Sequence, residues 1–184
     1  MNGTELPDPA TQAVNRVVVE LERHASLAGW DGPVRLFALV RTAGALERDG
    51  SLAERLPPDV LDAARADPEH LTAVEQENLP EAETLSDLLA GISWPDSVDG
   101  AAVVVERSVV PPEVEKDLPD DEAAAAAILA DHPSRRDVRM AAAVLRSGPR
   151  SCAVRARDHD SDDKVVVGPT LVPALADIVA ATLI

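Results

Sequence analysis

The densest group of ligand-type side chains is Asp158, His159, Asp160, Asp162 and Asp163, in the run DHDSDDK. Carboxylate oxygens and an imidazole are suited to a divalent cation. A calcium loop starting at Asp158 would need glycine at its sixth position and glutamate at its twelfth, where the chain has Asp163 and Pro169. The run therefore reads as a solvated acidic turn, with no metal expected. Glu75 and Glu77 alternate in a candidate strand, which would place both carboxylates on one face about 7 Å apart, a spacing open to acid and base roles. A carboxylate pair on the wet side of an edge strand has the same spacing. Glu106 and Arg107 lie on opposite faces of a strongly apolar strand, so one of them is drawn inward, to an internal ion pair or to a site.

Nucleophile chemistry finds no support. The chain has no G-x-S-x-G turn, and its single cysteine, Cys152, sits in mid-strand and reads as an inert core residue. His24, His70, His132 and His159 are dispersed, without the i, i+4 or CxxC spacing of a metal site. His24 borders the apolar stripe of the first helix and reads as a packed boundary residue. Trp30 and Trp94 each follow a helix end and read as core anchors. No catalytic, cofactor-binding or metal-ligating residue is assigned from these patterns, and no cofactor is expected.

Composition narrows the classes further. With 17 Lys and Arg against 33 Asp and Glu, the net charge of −16 repels phosphate backbones. Phe37, Trp30 and Trp94 are the only side chains able to stack on bases, so nucleic acid is not expected as a partner. No apolar run approaches the ~18 residues of a membrane span. The N-terminal MNGTELPDPAT lacks both the cations and the apolar stretch of a leader, and one cysteine suits a reducing cytoplasm.

The elements that would position these groups follow from periodicity and punctuation. Residues 1–7 read as a flexible tail. Asp8 can cap, and Pro9 can start, a helix with the stripe Ala10, Val14, Val17, Val18, Leu21, Ala25 and Ala28, closed by Gly29. Trp30 is expected to pack back on that helix end. Val34 to Val40 reads as a central strand. Residues 42–68, rich in Gly and Pro, allow only short helices: Thr42 to Asp49, Ser51 to Leu56 and Pro58 to Ala66. His70 to Glu77 reads as a strand, Thr84 with Asp87 as a capping box opening a helix through Ile92, and Ala101 to Val110 as the strongest strand. Asp120, Asp121 and Glu122 introduce the helix AAAAAILA. Val138 to Arg146 and Ser151 to Asp158 form a hairpin across Ser147-Gly148-Pro149-Arg150, with Arg139, Arg155 and Arg157 expected on its wetter face. Val165 to Val167 adds a short edge strand.

A last helix, Pro173 to Leu183, is apolar nearly all round. It calls for a second layer: the Asp121 to Asp131 helix, or the same surface of another subunit, hence the expectation of a homodimer. Without regular βα alternation, the chain is expected to be one α+β domain over 1–184, with a mainly antiparallel sheet of about five strands flanked by helices.

The stretches ERHASLAGWDGPVRLFALVRT, LTAVEQENLP, ISWPDSVDGAAVVVER and HPSRRDVRMAAAVLRSGPRSCAVRARDHD resemble a conserved actinobacterial family with no assigned activity, over most of residues 10–183. That resemblance implies a cytoplasmic protein and carries no site residues over. With 42–68 set aside, the element order is also similar to that of type III secretion chaperones, apart from the helix Thr84 to Ile92 between the second and third strands. Those chaperones are small acidic homodimers that bind extended peptides, so this likeness implies a protein- or peptide-binding, chaperone- or adaptor-like module. The alternative class is a small carboxylate-dependent enzyme.

Overall fold

In the computed structural model, which describes residues 6–184, six strands form one antiparallel sheet in the order β2-β1-β3-β4-β5-β6. They are β1 Arg35–Arg41, β2 Leu71–Glu75, β3 Gly100–Val109, β4 Arg136–Leu145, β5 Arg150–Ala156 and β6 Val166–Gly168. The chain is thus an α+β domain. The short edge strand expected at Val165 to Val167 forms as β6, pairing with Cys152 to Val154 of β5, and brings the sheet to six strands against the expected count of about five. The tail expected at 1–7 lies outside the described residues over 1–5.

Helix α1, Pro9–Ser26, begins where the sequence provides a start: the Asp8 carboxylate accepts hydrogen bonds from the amides of Ala10 and Thr11. It ends where Gly29 takes a φ of +84°. Its stripe of Val14, Val17, Val18 and Leu21 covers the sheet face carrying Phe37, Leu39, Ala102, Val104, Ala141, Ala143, Leu145 and Ala153. The opposite face, with Leu36, Ala101, Val103, Val105, Ala142, Val144 and Cys152, is covered by α7, Pro173–Ala181, and by Leu89 of α4, Leu85–Ala90. The alternation of inward residues along each strand thus feeds two cores, one on each side of the sheet. Alanines in the central strands let the helices approach closely. Gly100 goes further: a Cβ there would lie 2.4 Å from the Val144 carbonyl oxygen, so no side chain fits.

Two excursions leave the sheet. Between β1 and β2 the chain makes α2, Thr42–Arg48, a 3-10 turn at Gly50–Glu54 and α3, Pro58–Ala66, close to the short helices expected there. Between β3 and β4 it makes α5, Pro112–Glu115, and α6, Glu122–Ala130.

Several expectations change. β2 stops at Glu75, two residues short, and Asn78 turns the chain with a φ of +55°. The second layer beside α7 is α4 together with Trp94, whose indole N–H donates to Thr182 Oγ1 at 2.9 Å; it is not α6. α7 buries Leu175, Ala176 and Val179 and leaves Ala174, Asp177 and Ala181 exposed, so it is not enclosed on all sides.

Candidate functional site

At one end of the sheet a row of charged residues crosses three strands. Glu106 of β3 lies opposite Arg139 of β4, and Arg139 lies opposite Arg155 of β5, all on the face covered by α1. Glu22 lies above this row. It stands one turn after Val18 on the inner side of α1, where an apolar residue would continue the stripe. Arg155 donates to both Glu22 oxygens, Nε at 2.7 Å and Nη2 at 2.8 Å, and Arg139 Nη1 reaches Glu22 at 3.4 Å. Side chains of Glu22, Arg139 and Arg155 are 1%, 1% and 3% exposed. The expectation that Arg139 and Arg155 line a wetter face is therefore wrong: α1 covers that face, and Glu22 compensates the buried cations. Arg157, beyond the end of β5, is exposed.

The same cluster ties down two loops. Arg139 Nη2 donates to Glu106 at 3.0 Å and to the Gly29 carbonyl, and its guanidinium stacks 4.3 Å from the Trp30 ring. Trp30 Nε1 donates to Asp160 at 2.8 Å, the Asp31 amide donates to Glu106 at 2.6 Å, and Arg157 makes a two-pronged pair with Asp31. Arg155 also reaches Asp160 at 3.2 Å and Asp162 at 2.7 Å. Trp30 thus does not pack back on the end of α1; it is held between guanidiniums and the acidic turn. The Trp30 hydrogen bond, then Arg155, holds the Asp160 carboxyl below the usual range, and Arg155 does the same for Asp162. The Arg155 guanidinium is held above its ordinary value, chiefly by Glu22.

This accounts for the DHDSDDK run in physical terms. Asp160 and Asp162 face Arg155, Asp158 faces His159 and Arg136, and Asp163 accepts from Ser161. Their oxygens point at protein donors. Among the described residues no group of three or more His, Cys, Asp or Glu is placed to hold a metal ion.

Beside the cluster lies a cleft of about 570 Å³. Ala25, Ala28 and Gly29 at the end of α1 form one wall, Glu75 to Leu79 the other, and Val104, Glu106 and Arg139 the floor. The candidate pair Glu75 and Glu77 is not assembled. Arg35 grips both Glu75 oxygens, each at 2.7 Å, and Glu77 lies past the end of the ladder, exposed. The Arg35 bond keeps the Glu75 carboxyl below the ordinary glutamate value, the opposite of what a general acid requires. Glu106 fulfils the internal ion-pair reading, while Arg107 is exposed.

The remaining candidates stay apart. Cys152 is buried, and burial pushes its thiol pKa up, as for an inert core residue. His24 is exposed rather than packed at a boundary. His70 Nδ1 lies 2.8 Å from Thr42 Oγ1, and His132 Nδ1 accepts from the Ser134 amide.

The third unusual place is α6. Asp121 caps it, accepting from the Ala124 amide at 2.8 Å, and Arg135 donates to the Ala130 carbonyl at its other end. Its sequence is EAAAAAILA, and not one of its residues is buried. Ala125 and Leu129 are half-covered; the rest face solvent, with Ile128 48% exposed.

The sequence model of one protein family, described as PPA1309-like protein, matches residues 14–184. The chain belongs to the PPA1309-like family. No curated protein and no solved structure matches it. The cluster, the cleft and α6 all fall inside the residues that define its PPA1309-like character. Among the described residues, no helix of this PPA1309-like chain is long and apolar enough to cross a membrane.

Proposed function

We propose that the protein is a non-enzymatic, cytoplasmic protein-binding module, chaperone- or adaptor-like in action. The observation that carries this reading is α6: eight of its nine residues are apolar and none is buried. Apolar surface gains roughly 25 cal/mol per Å² on leaving water, and a nine-residue helix is by itself too short to be stable. A helix that is fixed in place by caps at both ends yet left uncovered is a surface prepared for a partner. The carboxylate-enzyme alternative loses support because Arg35 occupies Glu75. The homodimer through α7 loses support because α4 and Trp94 take the flank a second subunit would have covered.

The test is a tagged pull-down with quantitative mass spectrometry, wild type against Ile128→Glu. Glutamate is a good helix former, so α6 persists in the variant. A protein enriched by the wild type and lost from Ile128→Glu supports the reading. Identical captures, or none, overturn it.

A further inference from the structure

The reading that α6 receives a protein partner can be taken one step further, to the chemistry of that partner. We propose that α6 docks a basic amphipathic helix, with the apolar side of the partner on the ridge Ala124, Ala127 and Ile128 and its Lys and Arg residues over the acids that lead into α6.

The argument is one of charge and shape. Ala125 and Leu129, one turn apart, face the body of the protein, and Ala124 and Ile128, also one turn apart, stand on the exposed flank beside them, with Ile128 48% exposed. Small side chains there let a second helix come close, and Ile128 supplies one protruding knob, the i, i+4 pattern of helix-on-helix recognition. Around this apolar strip, residues 112–131 carry Glu113, Glu115, Asp117, Asp120, Asp121, Glu122 and Asp131 against Lys116 alone, a local charge of −6 within a chain of −16. All seven carboxylates are exposed. Asp121 is used as the helix cap, and among the described residues none of the other six is engaged in a side-chain hydrogen bond or ion pair. In the cluster beneath α1, by contrast, every carboxylate has a donor. The cations after the helix are occupied as well, Arg135 with Asp137 and Arg136 with Asp158.

This charge also discriminates between occupants. A second copy meeting this face symmetrically would bring −6 against −6 around a narrow apolar strip. Nucleic acid and anionic bilayers are repelled for the same reason. A helix with one apolar face and a cationic flank meets both demands at once.

The experiment is fluorescence anisotropy with two labelled synthetic amphipathic helices on the same leucine pattern, one with lysine and one with glutamate at the polar positions. The wild type is expected to bind the lysine helix at least about tenfold more tightly than the glutamate helix, with affinity falling as salt rises. Ile128→Glu should weaken lysine-helix binding by about tenfold although it adds a negative charge. Replacing Glu113, Glu115, Asp117 and Asp120 with their amides should weaken it comparably, while Asp59→Asn with Asp62→Asn on α3 should not.

If Ile128→Glu binds the lysine helix as well as the wild type or better, the attraction is only to an acidic protein and the proposal is overturned. If both helices bind equally through Ile128, the charge assignment is overturned and the protein-binding reading stands. If neither helix binds, the proposal is overturned, and the Ile128-dependent pull-down decides separately whether α6 binds any protein.

Discussion

Glu22 and Ile128 reverse the usual places of their residue types. The carboxylate is 1% exposed beneath α1, and the isoleucine is 48% exposed on α6. Around Glu22 each charge has geometric partners: two guanidiniums for the carboxylate, and an indole ring and Glu106 for Arg139. Ile128, by contrast, is left half uncovered among the alanines of a helix with no buried residue. Burial in this fold is therefore decided by whether partners are supplied and not by the polarity of the side chain, and the two regions invite opposite kinds of perturbation.

The strongest test of that contrast is Glu22→Ala. It leaves Arg139 and Arg155 buried without their shared carboxylate, and is expected to lower stability by about 3–5 kcal/mol in urea denaturation. A loss below about 1 kcal/mol would show that Asp160, Asp162 and Glu106 suffice to hold the two arginines. Next comes Trp30→Ala, which removes the ring stacked on Arg139 and the hydrogen bond to Asp160. The expected loss is about 1–2 kcal/mol.

The two helices can then be compared by the same substitution at the same structural position. Asp8→Ala removes the cap of a helix packed on the sheet, and global stability should fall by about 1 kcal/mol. Asp121→Ala removes the cap of a helix with no fully buried residue, so hydrogen exchange of amides 123–130 should quicken while global stability moves by less than about 0.5 kcal/mol. Equal global effects would contradict the placement of α6 outside the two cores.

Acid titration sharpens the same comparison. Asp160 and Asp162 have folded-state pKa values below the ordinary carboxylate value, so the stability they contribute is complete above about pH 4 and fades as pH falls through the lower folded values. Asp160→Asn with Asp162→Asn should flatten the acid limb of Tm against pH; an unchanged limb would remove these two carboxylates from the account. The smallest effect is expected for Ile128→Glu, within about 0.5 kcal/mol of wild-type stability, since Ile128 is not part of either core.

Much of this architecture is legible in the residues themselves. The Asp8-Pro9 start, the β-branched run before Pro111, the Ser147 to Arg150 turn and the capping pair Thr84 and Asp87 each act through neighbours close in sequence, and each element forms close to its expected place. The cluster was not legible because its logic is non-local. Arg139 and Arg155 alternate with apolar residues just as solvent-facing arginines would, and the carboxylate that reverses this reading is 117 and 133 positions away. One signal did exist: Glu22 interrupts the α1 stripe at a position where Val14 and Val18 predict a third apolar side chain. The cover of α7 was misplaced for a similar reason. An alanine-rich helix reads equally as core or as surface, and only the tertiary structure shows that α4 packs there and α6 does not.

The distance between Glu22 and Arg155 also has a consequence for the chain as it is made. At about 5–20 residues per second, roughly 7 to 27 s separate the synthesis of Glu22 from that of Arg155. Until that interval ends, the sheet face on which α1 packs is incomplete. Until then Glu22 is a hydrated carboxylate in line with the valine stripe, the kind of charge that limits association of an exposed apolar segment. The residue that closes the cluster in the finished fold is thus first a solvated charge on the nascent chain.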